Sequence, residues 1–240
     1  MSRPGAFDHL IGTDFTLNQS FLSPPGVLRL DDIVSEDYQT LKPSERKSQG
    51  GPAFAVLKFT CHSTSNPAQQ GLIRMYLQIP YGGTLRSSQE IRASQAESSH
   101  VHGEYEALTT LHKQKCTVVP DLLGYGQGRQ GPEAYVPNGY ITYVAWQRVP
   151  GSPLDPQIFW QEGNRQYRDE VRTAFAAAYQ ELIKHSWEPA IYCPSKLIYD
   201  HPNKTMITDE ALSVQTYVMW GLVKHPARND WHLTPSDWTW

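Results

Sequence analysis

The chain has 240 residues, of which 39% are hydrophobic and 19% are charged, a composition that supports a sizeable core and excludes a mostly disordered protein. Its formal net charge is −3 and its lysines and arginines are dispersed, so the charge pattern excludes a dedicated DNA-binding protein. No apolar run approaches the roughly 18–20 residues that span a bilayer, and residues 1–21 lack a secretory signal pattern. We therefore expect a cytoplasmic protein that uses neither DNA nor a membrane as a partner.

The first half of the chain is predicted to form a sheet into which one helix is inserted. A loop is expected at residues 37–52, which contain Ser, Lys, Gly and Pro but few aliphatic side chains. The run 53–59 is apolar on both faces, which predicts a central strand. Residues 87–112 carry apolar side chains near helical spacing, which predicts a helix. Strands are predicted at residues 27–30, 53–59, 72–80, 118–123 and 140–149.

The second half is predicted to hold a long helix and a small hairpin. Residues 165–185 place apolar side chains on one stripe and include an alanine-rich segment of high helix propensity. Two short strands, 196–199 and 205–208, are joined by a turn at residues 200–204. Together these elements indicate an α+β protein.

The order of five sequence blocks resembles that of a known family. The blocks are VLKF, RMYLQIP, VPDLLGYG, GYITYVAWQRVPG and KLIYD. Together they resemble kinase-like proteins of the aminoglycoside phosphotransferase and choline kinase superfamily, and more closely a group of fungal kinase-like proteins. The resemblance implies a two-lobed protein-kinase-like fold in one compact unit. Residues 1–150 would form an antiparallel N-lobe sheet with one main helix, and residues 151–240 a reduced, mostly helical C-lobe.

The same resemblance implies roles for individual residues. Lys58 lies in a segment similar to Val-Ala-Ile-Lys and would be the lysine that reaches the α and β phosphates of a nucleotide. In the family this lysine pairs with a glutamate on the first helix, for which Glu104 is the favoured candidate and Glu106 the reserve. Trp146 would face the adenine, and Asp209 would be the metal-binding aspartate.

The departures from the family pattern fall on the catalytic machinery. Ile191 occupies the position of the general base and has no lone pair to accept a proton. Lys196 replaces the asparagine that holds Mg²⁺, and its ammonium would neutralise a bound anion there. Asp209 is followed by Glu-Ala rather than Phe-Gly, and no glycine-rich phosphate loop precedes Lys58. We therefore expect ordinary phosphoryl transfer to be lost.

Three functions are consistent with this pattern. The first is an enzyme of fungal specialised metabolism that acts on a small molecule in the interlobe cleft, for instance by cyclisation or condensation, without a required cofactor or metal. The second is a nucleotide-binding pseudokinase or scaffold, in which Lys58, Glu104, Trp146 and Asp209 would hold ATP with Mg²⁺. The third is a weak small-molecule kinase with another carboxylate, such as Glu188, as its base.

Histidines and cysteines suggest other chemistry. His100 and His102 precede two glutamates, but residues two apart do not share a face of the helix predicted there, which argues against a metal site. Cys193 lies near the expected catalytic loop. It is either a buried structural thiol or, alternatively, a nucleophile. Because Cys61, Cys116 and Cys193 have neither metal-binding nor disulfide spacing, we expect free thiols.

Overall fold

The computed structural model describes residues 6–24, 26–45, 51–161, 165–187, 196–208 and 222. The chain divides into two compact units. We call the first the sheet unit, which contains Met1–Thr109 and Asp121–Arg148, and the second the helical unit, which contains Thr110–Pro120 and Val149–Trp240. No helix in the described ranges is both long and apolar enough to cross a membrane.

The sheet unit is built on a seven-stranded antiparallel sheet with the order β1-β3-β4-β5-β7-β6-β2. Its strands are β1 (Asp14–Thr16), β2 (Gln19–Ser20), β3 (Val27–Gln39), β4 (Phe54–Ser63), β5 (Gln70–Gln78), β6 (Leu122–Arg129) and β7 (Tyr140–Gln147). The antiparallel sheet and the central place of the strand predicted at 53–59 are confirmed, because β4 pairs with β3 on one side and β5 on the other.

Two predicted boundaries in the sheet are wrong for the same reason. Residues 37–39, predicted as the start of a loop, continue β3 because they pair with residues 54–56 of β4. The strand predicted to end at residue 123 begins at Leu122 and runs to Arg129, through three glycines at positions 124, 126 and 128. A Cβ on Gly126 would lie 2.8 Å from the Cβ of Asn18, so glycine permits a close approach at that point. In both places pairing with a neighbouring strand overrides local composition.

The two faces of the sheet differ in chemistry. On β4 the side chains of Ala55, Leu57, Phe59 and Cys61 are fully buried in the main apolar core, whereas the residues between them are half-buried on the opposite face. This alternation follows from the period of two along a strand. The second face carries Lys58, and it is the face on which the charged residues of β4 and β5 meet.

The single helix predicted at residues 87–112 is wrong, since two helices occupy this range. They are α1 (Gln89–Ala93) and α2 (Gly103–Lys113). Between them the backbone is held by glutamine side chains. Gln78 Nε2 donates a hydrogen bond to the carbonyl of Gln95, and Gln78 Oε1 accepts one from the amide of Glu97. At the end of α1, Gln95 Nε2 donates to the carbonyl of Ile91. These bonds satisfy backbone groups that a continuous helix would otherwise have paired.

The described residues of the helical unit form helices and a small antiparallel sheet. The elements that lie wholly within this part are β8 (Ser152–Pro153), α3 (Pro156–Trp160), α4 (Arg165–Lys184), β9 (Leu197–Asp200) and β10 (Thr205–Thr208). The strands have the order β10-β9-β8. The predicted long helix and the hairpin are confirmed. Buried side chains of α4, including Val171 and Phe175, pack with Leu197 and Leu222 in one apolar cluster.

Candidate functional site

The candidate site lies on the second face of the sheet, beneath the start of α2. Strand register places Lys58 of β4 opposite Arg74 of β5, and Arg74 opposite Val144 of β7. Trp146 lies two residues further along β7 and therefore shares this face. Glu104, in the first turn of α2, contacts Arg74. The site thus combines two cations, one carboxylate and one indole, all from the sheet unit.

Arg74 and Glu104 form a buried ion pair. A guanidinium nitrogen of Arg74 donates to Oε2 of Glu104, and the side chains are only 9% and 13% exposed. The hydroxyl of Tyr76 donates to the same oxygen. Burial, followed by the charge of Glu104, raises the pKa of Tyr76, so the phenol stays protonated and available as a donor. Burial of a charge at this position is tolerated because it is paired and hydrogen-bonded.

Lys58 contacts the aromatic member of the site. Its Nζ lies 5.3 Å from the ring centroid of Trp146, and Cζ of Arg74 lies 6.0 Å from the same ring. Trp146 is buried, whereas Lys58 is half-buried. A cation over the face of an indole is stabilised by about 0.5–2 kcal/mol, depending on how far it is desolvated. The ring therefore provides a favourable position for the ammonium at the edge of the buried pair.

The residues proposed from the sequence fall into three groups. Lys58, Glu104 and Trp146 share the face described above. Lys196 lies in the helical unit, half-buried at the start of β9, and Glu106 is exposed on α2. The others lie outside the described residues, and their roles stay predictions: Glu188, Ile191, Cys193 and Asp209.

Arg74 is the functional candidate that the sequence analysis missed. It is 8% exposed and occupies the centre of β5, a strand predicted from its apolar residues alone. A usable signal was present, since an arginine within an otherwise apolar strand requires a buried counter-charge. The sequence does not say which carboxylate supplies it, because Glu104 is thirty residues away.

His100 and His102 precede α2 and do not lie on it. The reason given for excluding a metal, their placement on different faces of a helix, is therefore wrong. His102 is buried and stacks on Tyr76, with ring centroids 3.9 Å apart and an interplanar angle of 16°. Burial, with a smaller contribution from His100, lowers the pKa of His102 to about 3, so its ring is neutral at pH 7. In the described ranges no three His, Cys, Asp or Glu side chains are grouped to hold a metal.

The described cysteines are buried free thiols. Cys61 and Cys116 are free cysteines, as expected from their spacing. Burial, with a further contribution from Asp31, raises the pKa of the Cys61 thiol to about 12. A thiol of this kind stays protonated near pH 7 and is a poor nucleophile.

Comparison with known proteins finds distant similarity to solved structures. No protein-family model matches the chain, and no curated protein matches its sequence. Among solved structures, the Cydia pomonella granulovirus kinase PK-1 is similar at 13% sequence identity with a TM-score of 0.39. The alignment covers 80% of this chain and 55% of that one, so the chain spans about half the length of PK-1. A similarity of this size carries no conclusion about the fold family or activity of this chain.

Proposed function

We propose that this chain has a kinase-like fold, has lost phosphoryl transfer, and acts as an enzyme on a small molecule. The order of elements supports the fold. Five long strands, β3 to β7, are adjacent in one antiparallel sheet, and α2 follows the third of them in the chain. In protein kinases a lysine on the third strand pairs with a glutamate on the following helix. In this chain the third long strand supplies Arg74, and α2 supplies Glu104.

The buried Arg74–Glu104 pair is the observation on which the proposed loss of phosphoryl transfer rests. A kinase lysine must reach the nucleotide phosphates while it pairs with the helix. Arg74 is 8% exposed, its charge is balanced by Glu104, and it therefore has little surface left for a phosphate. The ion pair therefore suits a structural role, in which it links β5 to α2. The isoleucine at position 191 adds to the same conclusion, because it would remove the proton acceptor.

The substrate class is inferred from the groups that remain at the site once phosphoryl transfer is lost. A half-buried ammonium on an indole, as at Lys58 and Trp146, suits a small molecule with an anionic or polar group beside a flat apolar part. The resemblance of the sequence blocks to fungal kinase-like proteins favours specialised metabolism. A cyclisation or condensation would need orientation and a few polar groups rather than a cofactor.

Single-turnover phosphate release tests the proposal. Protein in excess over γ-labelled ATP and Mg²⁺ is expected to release no phosphate beyond the buffer control. A phosphotransferase that had lost only its general base would still pass the γ-phosphoryl group of bound ATP to water, and labelled phosphate above the buffer control would reveal it. Release that disappears in Lys58→Ala but persists in the surface variant Lys113→Ala would overturn the proposal. Native mass spectrometry of the purified protein would identify any small molecule that it retains.

A nucleotide-binding pseudokinase is the second candidate, and the position of Lys58 over Trp146 favours it. On this alternative, ATP with Mg²⁺ raises the melting temperature, and EDTA lowers the shift. Lys58→Ala is expected to abolish the shift, whereas Lys113→Ala retains it. No shift at millimolar ATP would eliminate this candidate, since a ligand at about 100 times its Kd stabilises by about 2.7 kcal/mol.

A further inference from the structure

Three rings of the sheet unit converge next to the Arg74–Glu104 pair. The ring centroids of His100 and His102 are 4.9 Å apart. The ring centroid of Tyr140 lies 5.7 Å from that of His102 and 6.1 Å from that of His100. The two histidines come from the segment before α2, and Tyr140 is the first residue of β7. The cluster therefore joins two parts of the chain that are far apart in sequence.

Two polar atoms of this cluster are buried without a partner. Nε2 of His102 and the hydroxyl of Tyr140 find no hydrogen-bond partner among the described residues. The residues are only 6% and 1% exposed. A buried polar atom left unpaired is costly, and most such atoms in folded proteins are satisfied by a protein group, a water molecule or an ion. Both atoms belong to rings of this cluster, so one shared ligand would satisfy both.

The spacing of the rings fits a shared metal ion. With metal–nitrogen bonds of about 2 Å and tetrahedral angles, the centroids of two bound imidazoles lie about 5 Å apart, and a bound phenol ring lies about 6 Å from each. The three separations in this cluster match those values. Imidazole nitrogen is a preferred ligand of zinc, copper, nickel and iron.

The surroundings support a closed site on one side. Tyr76 stacks on His102, and Phe54 meets the same ring edge-on with centroids 4.8 Å apart. Gly51 leaves space beside His100, where a Cβ would lie 2.7 Å from Cε1 of that ring. An apolar shell of this kind holds ligand rings in place and limits the access of water to the ion.

We propose that His100, His102 and Tyr140 form a three-ligand site for a divalent transition metal such as zinc. The phenol would bind as phenolate, with its proton released to solvent. A three-ligand site leaves the fourth tetrahedral position open to water or to an atom of a bound molecule. The metal site is independent of the loss of phosphoryl transfer proposed above.

Metal titration of the full chain tests the site. After dialysis against EDTA and removal of the chelator, Co²⁺ is expected to bind at one ion per chain and to give the visible ligand-field bands of a tetrahedral site. Zn²⁺ is expected to displace it and, at about 100 times its Kd, to raise Tm by about 5 °C or more. The absence of Co²⁺ bands and of a Zn²⁺ shift would overturn the proposal, and would leave a buried water as the partner of the two atoms.

Matched variants identify the ligands. His102→Phe preserves the ring stack, and Tyr140→Phe removes one oxygen; each is expected to weaken Zn²⁺ binding at least tenfold. His9→Ala and Tyr125→Phe, which remove the same groups elsewhere, are expected to bind as the wild type does. Unchanged binding in Tyr140→Phe would overturn the three-ligand site. If a variant fails to fold, X-ray absorption of the Zn²⁺-loaded wild type decides, because fewer than two imidazoles would contradict the proposal.

Discussion

Arg74 and Glu104 illustrate how one residue pair can join a helix to a sheet. Each side chain would be costly to bury alone, since an unpaired charge in a protein interior loses its hydration without compensation. Together, and with the hydroxyl of Tyr76, they connect α2 to β5. This contact determines where the first turn of α2 rests on the sheet. Lys58, by contrast, lies half-buried beside the ring of Trp146.

Removing one member of the pair is expected to destabilise the protein strongly. Arg74→Met leaves the carboxylate of Glu104 buried without its cation, and Glu104→Gln leaves the guanidinium without its anion. Each change is expected to lower the free energy of unfolding by about 3–5 kcal/mol. Urea denaturation of the two variants measures this loss.

An exposed pair and a double variant provide the controls. Asp14→Asn breaks an ion pair with Arg29 whose side chains are 50% and 46% exposed, so a loss of less than about 1 kcal/mol is expected. The double variant Arg74→Met, Glu104→Gln is expected to be more stable than the sum of the single losses predicts, since neither charge is then left alone. Additive losses would show that the two side chains are not coupled.

Among the elements, α4 is fastened to the hairpin of the helical unit by polar as well as apolar contacts. Its buried stripe packs on β9 and β10 through Val171 and Phe175. At the edge of that contact, Nζ of Lys204 lies 3.0 Å from Oε1 of Glu170, which also accepts a hydrogen bond from Gln166. These hydrogen bonds, with that of Lys204 first, lower the pKa of Glu170 below its ordinary value of 4.5.

The Glu170–Lys204 contact is expected to make the helical unit sensitive to acid. A carboxylate whose pKa is lower in the folded state stabilises the fold above its unfolded pKa, and this stabilisation disappears as the pH falls through the folded value. Lys204→Met is therefore expected to be less stable than the wild type near pH 7 and to approach it near pH 3. Urea unfolding across this range, with Lys115→Met as a control, measures the difference. A constant gap at all pH values would contradict the electrostatic origin.

At the scale of the whole molecule, the described residues of each unit form an apolar core. The core of the sheet unit is formed by alternating residues of β3, β4, β5 and β7. The core of the helical unit contains Leu154, Phe159, residues of α4 and Leu222, which is fully buried. Leu222 thus adds to that core a residue distant from α4 in the chain.

Truncation of Leu222 is expected to destabilise the helical unit. Leu222→Ala removes a fully buried side chain and should cost about 2–5 kcal/mol, the sum of lost burial and a residual cavity. Faster amide hydrogen exchange in α4, together with urea unfolding, measures the effect. Ile158→Ala removes a side chain that is 51% exposed and is expected to change stability by less than about 0.5 kcal/mol. Equal effects of the two changes would contradict a contribution of buried Leu222 to this core.

Local patterns in the chain were sufficient for much of the architecture. An apolar run predicted β4, alternation of apolar residues predicted β5, and helical spacing predicted α4. The candidates Lys58, Glu104 and Trp146 came from the order of sequence blocks and share one face of the sheet. Lys196 lies elsewhere in the chain, in the helical unit.

Contacts between distant segments account for the rest. The break between α1 and α2 depends on glutamines from β5 and from the connection itself, the extension of β3 depends on β4, and the partner of Arg74 lies thirty residues away. Helical and strand propensities are weak compared with hydrogen bonds and burial supplied by a neighbouring element. The convergence of His100, His102 and Tyr140 has the same origin, since only packing of the segment before α2 against β7 brings these rings together.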